Sequence, residues 1–440
     1  MRTLAEWLQL HESVHPRTID LGLTRVARVA HALGLERPGY AVITVGGTNG
    51  KGSVAAHLEA LLQALGSTCG MFTSPHFLRY NERIRVGGGE VSDPELIAAF
   101  ERIEAARADT TLTFFEYNTL AALLIFTQRA VDVAVLEVGL GGRLDATNLV
   151  DADVAVLASV GFDHRDWLGE TLELIGWEKA GIFRAGRPAV LGTAQMPASV
   201  FTALSALGAR TLVAERDFRW RVGAGDWDYY GLELTLRALP PSSLAGSVQY
   251  RNAATALAAL EALRADSGAR AAVRAAVARL GSLDESTVAA ALRRVQLAGR
   301  FQIVPGEVEW ILDIAHNEPA ALTLAAQLRE RLLARTAGGR DAARTLAVIG
   351  VLADKDAPAI AAALRPVIDR WIVCALPGPR GTSAAQLAHR LALAADSYEL
   401  APTVTAGCER ARAAAQPGDR VVVCGSVHTV GPALEWLGLY

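Results

Sequence analysis

The sequence predicts an α/β protein. An N-terminal P-loop-type, mostly parallel sheet flanked by helices carries a small antiparallel appendage, and a smaller C-terminal Rossmann-like α/β domain follows. Three observations carry this reading. The glycine-rich stretch Gly46-Gly-Thr-Asn-Gly-Lys-Gly-Ser53 lies between an apolar run and a helical pattern. Short apolar runs then alternate with helical periodicity, the pattern of parallel strands covered on both faces. The alternation is interrupted by a period-two segment near 217–237 and starts again near Gln296.

The first strand is expected over 40–45. The helix after the loop is read as amphipathic, with Leu58, Leu61, Leu62 and Leu65 at three- and four-residue spacing and Gly66 as its stop. Further strands are expected over 69–73, 131–138 and 154–160, and helices over 117–129, 170–181 and 252–264. Phe218, Trp220 and Val222, then Leu232, Leu234 and Leu236, alternate as in an antiparallel hairpin appended to the sheet and closed by Pro240-Pro-Ser-Ser243. The alanine- and arginine-rich segment 262–294 reads as a solvated helix pair. In the second domain, strands are expected over 308–314, 346–351, 371–375 and 420–424. Helices are expected over 319–333, 357–368 and 382–394, with a surface loop at 336–343. A chain of 440 residues exceeds one ordinary core, so domains of 1–295 and 296–440 are expected. No internal repeat is evident.

Apolar residues make up 51% of the chain, yet no uninterrupted run approaches the roughly 20 residues that span a bilayer. Arg2 and Glu6 interrupt any signal-peptide pattern. Cys69, Cys374, Cys408 and Cys424 form no Cys-x-x-Cys pair and read as buried reduced thiols. A net charge of −3 without a basic block argues against nucleic acid. A soluble, cytoplasmic, monomeric protein acting on small molecules, away from nucleic acid and membrane, is expected.

Backbone N–H groups and the positive end of a helix dipole favour a phosphate chain where the sheet feeds the loop. The stretch is not a strict Walker A motif, because Val45 stands five before Gly50 and Gly52 separates Lys51 from Ser53. In open parallel sheets, ligands collect beyond the carboxyl ends of the strands. Ser74-Pro75-His76, Glu137 and Asp163-His164 fall at such ends. An acid there beside a phosphate loop suits Mg²⁺ on nucleotide phosphates; Glu137 suits equally a cap on the turn Gly139-Leu-Gly-Gly142. A lone histidine such as His164 is more often structural, and Lys179 reads by itself as a solvated helical lysine. Asp313 and His316, expected at the end of the second domain's first strand, fit a ligand crevice or a strand-end turn.

These stretches, taken with Arg79-Tyr-Asn-Glu-Arg-Ile-Arg-Val86, Phe115-Glu-Tyr117, Leu136-Glu-Val-Gly-Leu-Gly-Gly-Arg-Leu-Asp-Ala-Thr-Asn148, Asp166-Trp-Leu-Gly169, Glu178-Lys-Ala-Gly-Ile-Phe183, Asn252-Ala-Ala-Thr-Ala-Leu257, Gly299-Arg-Phe301, Asp313-Ile-Ala-His-Asn317 and Cys424-Gly-Ser-Val-His428, resemble bacterial dihydrofolate synthase/folylpolyglutamate synthases of the Mur-ligase superfamily. The resemblance runs in order along nearly the whole chain. It implies that Asn49, Gly50, Lys51, Gly52 and Ser53 hold ATP phosphates, with Asn252, Arg300 and Asp313 also on ATP and His316 reaching its phosphates. Ser74, Glu137 and His164 would bind Mg²⁺, and a carbamylated Lys179 would help hold a second Mg²⁺. Lys51, Lys179 and His316 would be the catalytic set; any use of K⁺ is left open. The pterin-bearing acceptor would lie against Asp20, Leu21 and Gly22, against Thr113, Phe114, Phe115 and Glu116, and against Leu144, Asp145 and Ala146.

The implied activity is ATP-dependent amide ligation of L-glutamate to dihydropteroate and to reduced folates through an acyl phosphate, in a cleft that closes between the domains. A peptidoglycan Mur ligase would need a UDP-binding domain before the loop, where only 45 residues stand. A nucleotide-switch protein would need a guanine-reading Asn-Lys-x-Asp stretch, and Asp354-Lys-Asp356 is not one.

Overall fold

The computed structural model describes residues 2–266, 270–337 and 344–440, which form two compact units. The first comprises 1–243 and 249–296, the second 244–248 and 297–440.

The first unit is built on an eight-stranded sheet. In chain order the strands are β1 (Ala41–Gly46), β2 (Cys69–Phe72), β3 (Ile84–Val86), β4 (Gly89–Glu90), β5 (Val133–Glu137), β6 (Val154–Leu157), β7 (Pro188–Leu191) and β8 (Arg210–Val213). Their spatial order is β4-β3-β2-β5-β1-β6-β7-β8, with β3 antiparallel to both its neighbours and every other pairing parallel. Strands β1, β2, β5 and β6 are buried at every residue, which explains their unbroken apolar runs. After β1 the chain turns to β2 on one side, while β6 lies on the other. The phosphate loop therefore opens at the point where strand order reverses.

The helix Lys51–Ala64 is not amphipathic as expected: every residue from Gly52 to Leu62 is buried, His57 and Glu59 included. The sheet takes one face, and the helix Glu285–Leu292 packs on another. The 262–294 segment is accordingly a cover as well as a solvated pair. The helices Leu4–Val14 and Thr24–Leu33 join Phe114–Gln128 in a second apolar core on the sheet's flank.

The antiparallel appendage is a sheet of its own, of three strands, β9 (Arg219–Val222), β10 (Trp227–Tyr230) and β11 (Thr235–Leu239). Glu261 ties it to the helix Val248–Arg264 by accepting from the Tyr229 hydroxyl at 2.5 Å and from three backbone N–H groups of 232–234.

Among the described residues the second unit holds six strands: β12 (Gln302–Val304), β13 (Glu309–Asp313), β14 (Thr345–Ile349), β15 (Arg370–Cys374), β16 (Tyr398–Ala401) and β17 (Arg420–Cys424). Their order is β12-β13-β17-β14-β15-β16, parallel except for the edge strand β12. Asp313 thus ends the second strand of this unit, not its first; β12 is too short to announce itself by alternation. The helix Glu318–Ala337 runs through 336 and 337, which were expected to open a loop, and the rest of that loop lies outside the described residues. All four cysteines are buried free thiols. Among the described residues, no helix is long and apolar enough to cross a membrane.

Candidate active site

In the first unit the carboxyl ends of β2, β5, β1 and β6 stand side by side, with Phe72 opposite Leu136, Val45 opposite Glu137 and Gly46 opposite Leu157. The loop after β1 is locked to the loop after β6. Thr48 N–H donates to the Ser159 carbonyl at 2.8 Å, Thr48 Oγ1 to the Gly161 carbonyl at 3.1 Å, and Asn49 N–H to Ser159 Oγ at 3.1 Å. Gly50 caps the helix at φ 89°, and a Cβ there would come within 3.2 Å of Asn252 Oδ1. Both the backbone conformation and the close approach require glycine. Asn252 is thereby placed against the phosphate loop, steadied by Gln249 at 3.0 Å.

Lys51 Nζ donates to the carbonyls of Gly47 at 3.1 Å and Thr48 at 3.2 Å. Lys179 is buried, contrary to its reading as a solvated lysine, and its Nζ donates to the same Gly47 carbonyl at 3.0 Å. Burial, then the neighbouring Lys51 charge, push its pKa down to about 7, against the pull of Asp163 and Asp145. The helix Leu172–Ala180 reaches this place because its end interlocks with the turn after β5. Arg143 N–H bonds the Glu178 carbonyl at 2.9 Å, the Arg143 and Glu178 side chains pair at 2.8 Å, and a Cβ on Gly142 would meet the Lys179 carbonyl at 2.8 Å.

Glu137 is buried at the end of β5 and accepts from the Ser74 N–H at 3.2 Å. A buried carboxylate beside a serine at two adjoining strand ends suits a hard divalent cation, which needs few protein ligands when phosphates supply the others. Among the described residues no group of three or more His, Cys, Asp or Glu side chains forms a protein-only metal cage. His164 sits in the left-handed region at φ 51°, heading the short helix Arg165–Leu168, with its N–H on Asp163 Oδ1 at 2.9 Å.

The expected acceptor segments separate into two kinds. Asp20 and Thr113–Glu116 are joined by Arg25, which sequence reasoning missed: Arg25 lies 2.8 Å from Asp20 Oδ2 and 3.3 Å from Glu116 Oε1. Glu116 and Thr113 also cap the helix Phe114–Gln128 reciprocally. Asp145, by contrast, is occupied internally, accepting from Leu140 N–H at 2.8 Å and from Thr147 N–H and Oγ1 at 3.0 and 2.6 Å. It holds the glycine turn and the one-turn helix Ala146–Leu149. In the second unit, Asp313 accepts from Phe301 and Ala315 N–H groups, both at 2.8 Å, with the Arg300 charge and the His316 ring near it. The Gly299-Arg-Phe301 stretch is thus folded onto the end of β13.

The Mur ligase middle domain matches residues 45–198 and the Mur ligase glutamate ligase domain matches residues 299–427. A dihydrofolate synthase/folylpolyglutamate synthase of Escherichia coli is 44% identical over 98% of this chain and 95% of its own length. The chain belongs to the dihydrofolate synthase/folylpolyglutamate synthase family of Mur ligases. Solved members have the same architecture. Escherichia coli FolC in complex with DHPP and ADP superposes with a TM-score of 0.89 at 42% identity, covering 99% of this chain and 98% of that one. A bifunctional family structure with Mn, AMPPNP and L-glutamate bound gives 0.87 at 40% identity, covering 100% and 99%. Membership of this Mur-ligase family makes the chain an ATP-dependent ligase.

Proposed function

We propose that this ligase joins the α-amine of L-glutamate to the carboxylate of dihydropteroate, giving dihydrofolate, and to the terminal carboxylate of reduced folates, giving folylpolyglutamates. An acceptor carboxylate oxygen attacks the γ-phosphorus of ATP and ADP departs. The glutamate amine then attacks the acyl carbon, loses a proton, and expels phosphate. A divalent cation bound near Ser74, Glu137 and His164 supplies neutralising charge on the phosphates.

The chain's own contribution is positioning and charge. Lys51 swings from its own loop carbonyls onto the phosphates, which the loop N–H groups of 49–53 also bind. Lys179, once carbamylated, turns from a cation into an anion facing the metal. Asn252, Arg300 and Asp313 hold ATP, His316 meets its phosphates, and Asp20–Gly22, Thr113–Glu116 and Leu144–Ala146 receive the acceptor. The observation that carries the reading is the adjacency of phosphate loop, Glu137 and Ser74 at neighbouring strand ends, in a chain matched to the family along its whole length. Cytoplasmic action as a monomer on small molecules belongs to the same proposal, and light scattering tests the monomer. The deciding assay is phosphate release from ATP and Mg²⁺, with glutamate present or absent, for each acceptor separately. Release that does not depend on glutamate would refute the ligase reading.

A further inference from the structure

Arg83 ends the one-turn helix Tyr80–Arg83, directly before β3. Because β3 pairs antiparallel with β2, the Arg83 carbonyl accepts from Thr73 N–H at 2.9 Å, which fixes Arg83 beside Ser74. Its side chain is turned inward: the residue is only 8% exposed. The guanidinium lies over two rings, 5.4 Å from the Phe114 centroid and 5.8 Å from that of Tyr80. Nε–H donates to His76 Nδ1 at 2.7 Å.

That bond and those rings account for the Nε edge and one face. Among the described residues, the two terminal NH₂ groups have no hydrogen bond and no ion pair. Burial works most strongly against the charge, and Glu82 and then Glu137 attract the guanidinium from beyond ion-pair distance. An arginine buried at a cost, with its bidentate fork left open, is a place where an anion is expected to complete the bonding. The guanidinium packs on the Phe114 ring and lies within reach of the Glu137 charge, two parts of the site already described.

We propose that Arg83 binds the acceptor's reacting carboxylate, holding it in line for phosphoryl transfer and then neutralising the acyl phosphate. This rests on the ligase reading above. The acceptor's carboxylate has to lie between its ring system and the γ-phosphate, and Arg83 adjoins Phe114 while feeling the charge of Glu137, the two parts proposed to serve them. A planar fork matches a carboxylate with two parallel N–H···O bonds, which a lysine at the same place could not reproduce.

The test compares 7,8-dihydropteroate with its methyl ester by calorimetry on the whole protein, without ATP or metal, in wild type, Arg83→Met and Arg83→Lys. Wild type is expected to prefer the free acid by about ten- to a hundredfold, the range of a desolvated charge-assisted pair. Arg83→Met should bind the ester as before and lose the preference; Arg83→Lys should keep part of it. AMPPNP affinity should stay at the wild-type value in all three, whereas a merely structural role would shift both ligands together. A full preference for the acid in Arg83→Met overturns the assignment of Arg83 alone. If wild type binds neither compound, the acceptor reading itself fails.

Discussion

Lys51 and Lys179 share one acceptor, the Gly47 carbonyl, at 3.1 and 3.0 Å. Two ammonium groups on one oxygen repel, and burial adds to the penalty on Lys179. The arrangement is relieved if Lys51 moves to a phosphate or if Lys179 gives up its charge.

Lys179 is therefore expected to take up CO₂ as a carbamate. The reactive form is the neutral amine, and with a pKa of about 7 it is well populated at neutral pH. The extent of carbamylation at fixed CO₂ should rise through pH 7 and level off above it. The linkage has the matching sign. An unmodified Lys179 binds fewer protons folded than unfolded between about 7 and the ordinary 10.5. It costs stability that grows as pH falls through that window and is complete below about 7. ¹³C-NMR with labelled bicarbonate reads the carbamate, and a CO₂-stripped preparation should regain activity when bicarbonate returns. Lys179→Ala should be inactive and partly rescued by a short carboxylic acid. Full activity of the stripped enzyme would exclude the carbamate.

Lys51→Ala should remove turnover, by at least about a hundredfold, and leave the fold unchanged. The Lys51 ammonium bonds the Gly47 and Thr48 carbonyls of its own loop, and that loop stays pinned to the loop after β6 through Thr48 and Asn49. Circular dichroism and the steady-state rate measured together check both halves.

His316→Ala is expected to lower kcat by about a hundredfold with little change in Tm. The side chain touches the Ile314 carbonyl at 3.1 Å and lies at the end of β13, outside the unit's core. Asp313→Ala should behave differently, because it strands the Phe301 and Ala315 N–H groups. Both Tm and kcat should fall there. A wild-type kcat for His316→Ala would remove His316 from the reaction.

His11 should make the protein acid-sensitive. It is buried against Tyr117, stacked at 3.9 Å, and edge-on to Phe100 at 4.4 Å, and among the described residues neither ring nitrogen has a hydrogen-bond partner. Burial, opposed by Glu104 and aided by Arg107, lowers its pKa to about 4. Between about 6.5 and 4 the unfolded chain binds the proton and the native one does not, so stability falls as pH drops through that window. Urea midpoints at pH 7 and pH 5 should differ more for wild type than for His11→Phe; equal differences would exclude His11 as the cause.

What could be read from the sequence is what local order determines. The glycine pattern fixes the loop at 46–53, and unbroken apolar runs fix β1, β5 and β17, because those strands are covered on both faces. The covering itself was not legible. Residues 285–292 lie far along the chain from 51–64, so nothing near Glu59 signals its burial. Strand β8 starts at an exposed Arg210 on the sheet edge and carries no alternation to read. In the site, Lys51 and Glu137 follow from strand ends, whereas Arg25 and Arg83 acquire meaning only through partners brought together by the fold. Nothing in their spacing distinguishes them from the other arginines.

Phe114 and Phe115 should separate acceptor binding from stability. Adjacent on one helix, they point to different surroundings. Phe115 lies against Phe72 at 5.7 Å, and its ring fills the space where a Cβ on Gly139 would come within 2.5 Å of Cζ. Phe114 instead meets Arg83 and Tyr80 at the open end of the helix. Phe115→Ala therefore removes packing beside β2 and the turn after β5, costing about 1–3 kcal/mol of stability for a partly buried ring. Its effect on activity should follow unfolding. Phe114→Ala should lower stability less and instead raise KM for dihydropteroate and for tetrahydrofolate together, since a flat apolar face serves the fused ring of either. Mass spectrometry with each acceptor offered separately should detect one added glutamate on dihydropteroate and on tetrahydrofolate in wild type. In Phe114→Ala both products should decline in parallel at limiting acceptor and recover at saturating acceptor. A loss confined to one acceptor would mean that the two ring systems do not share this surface.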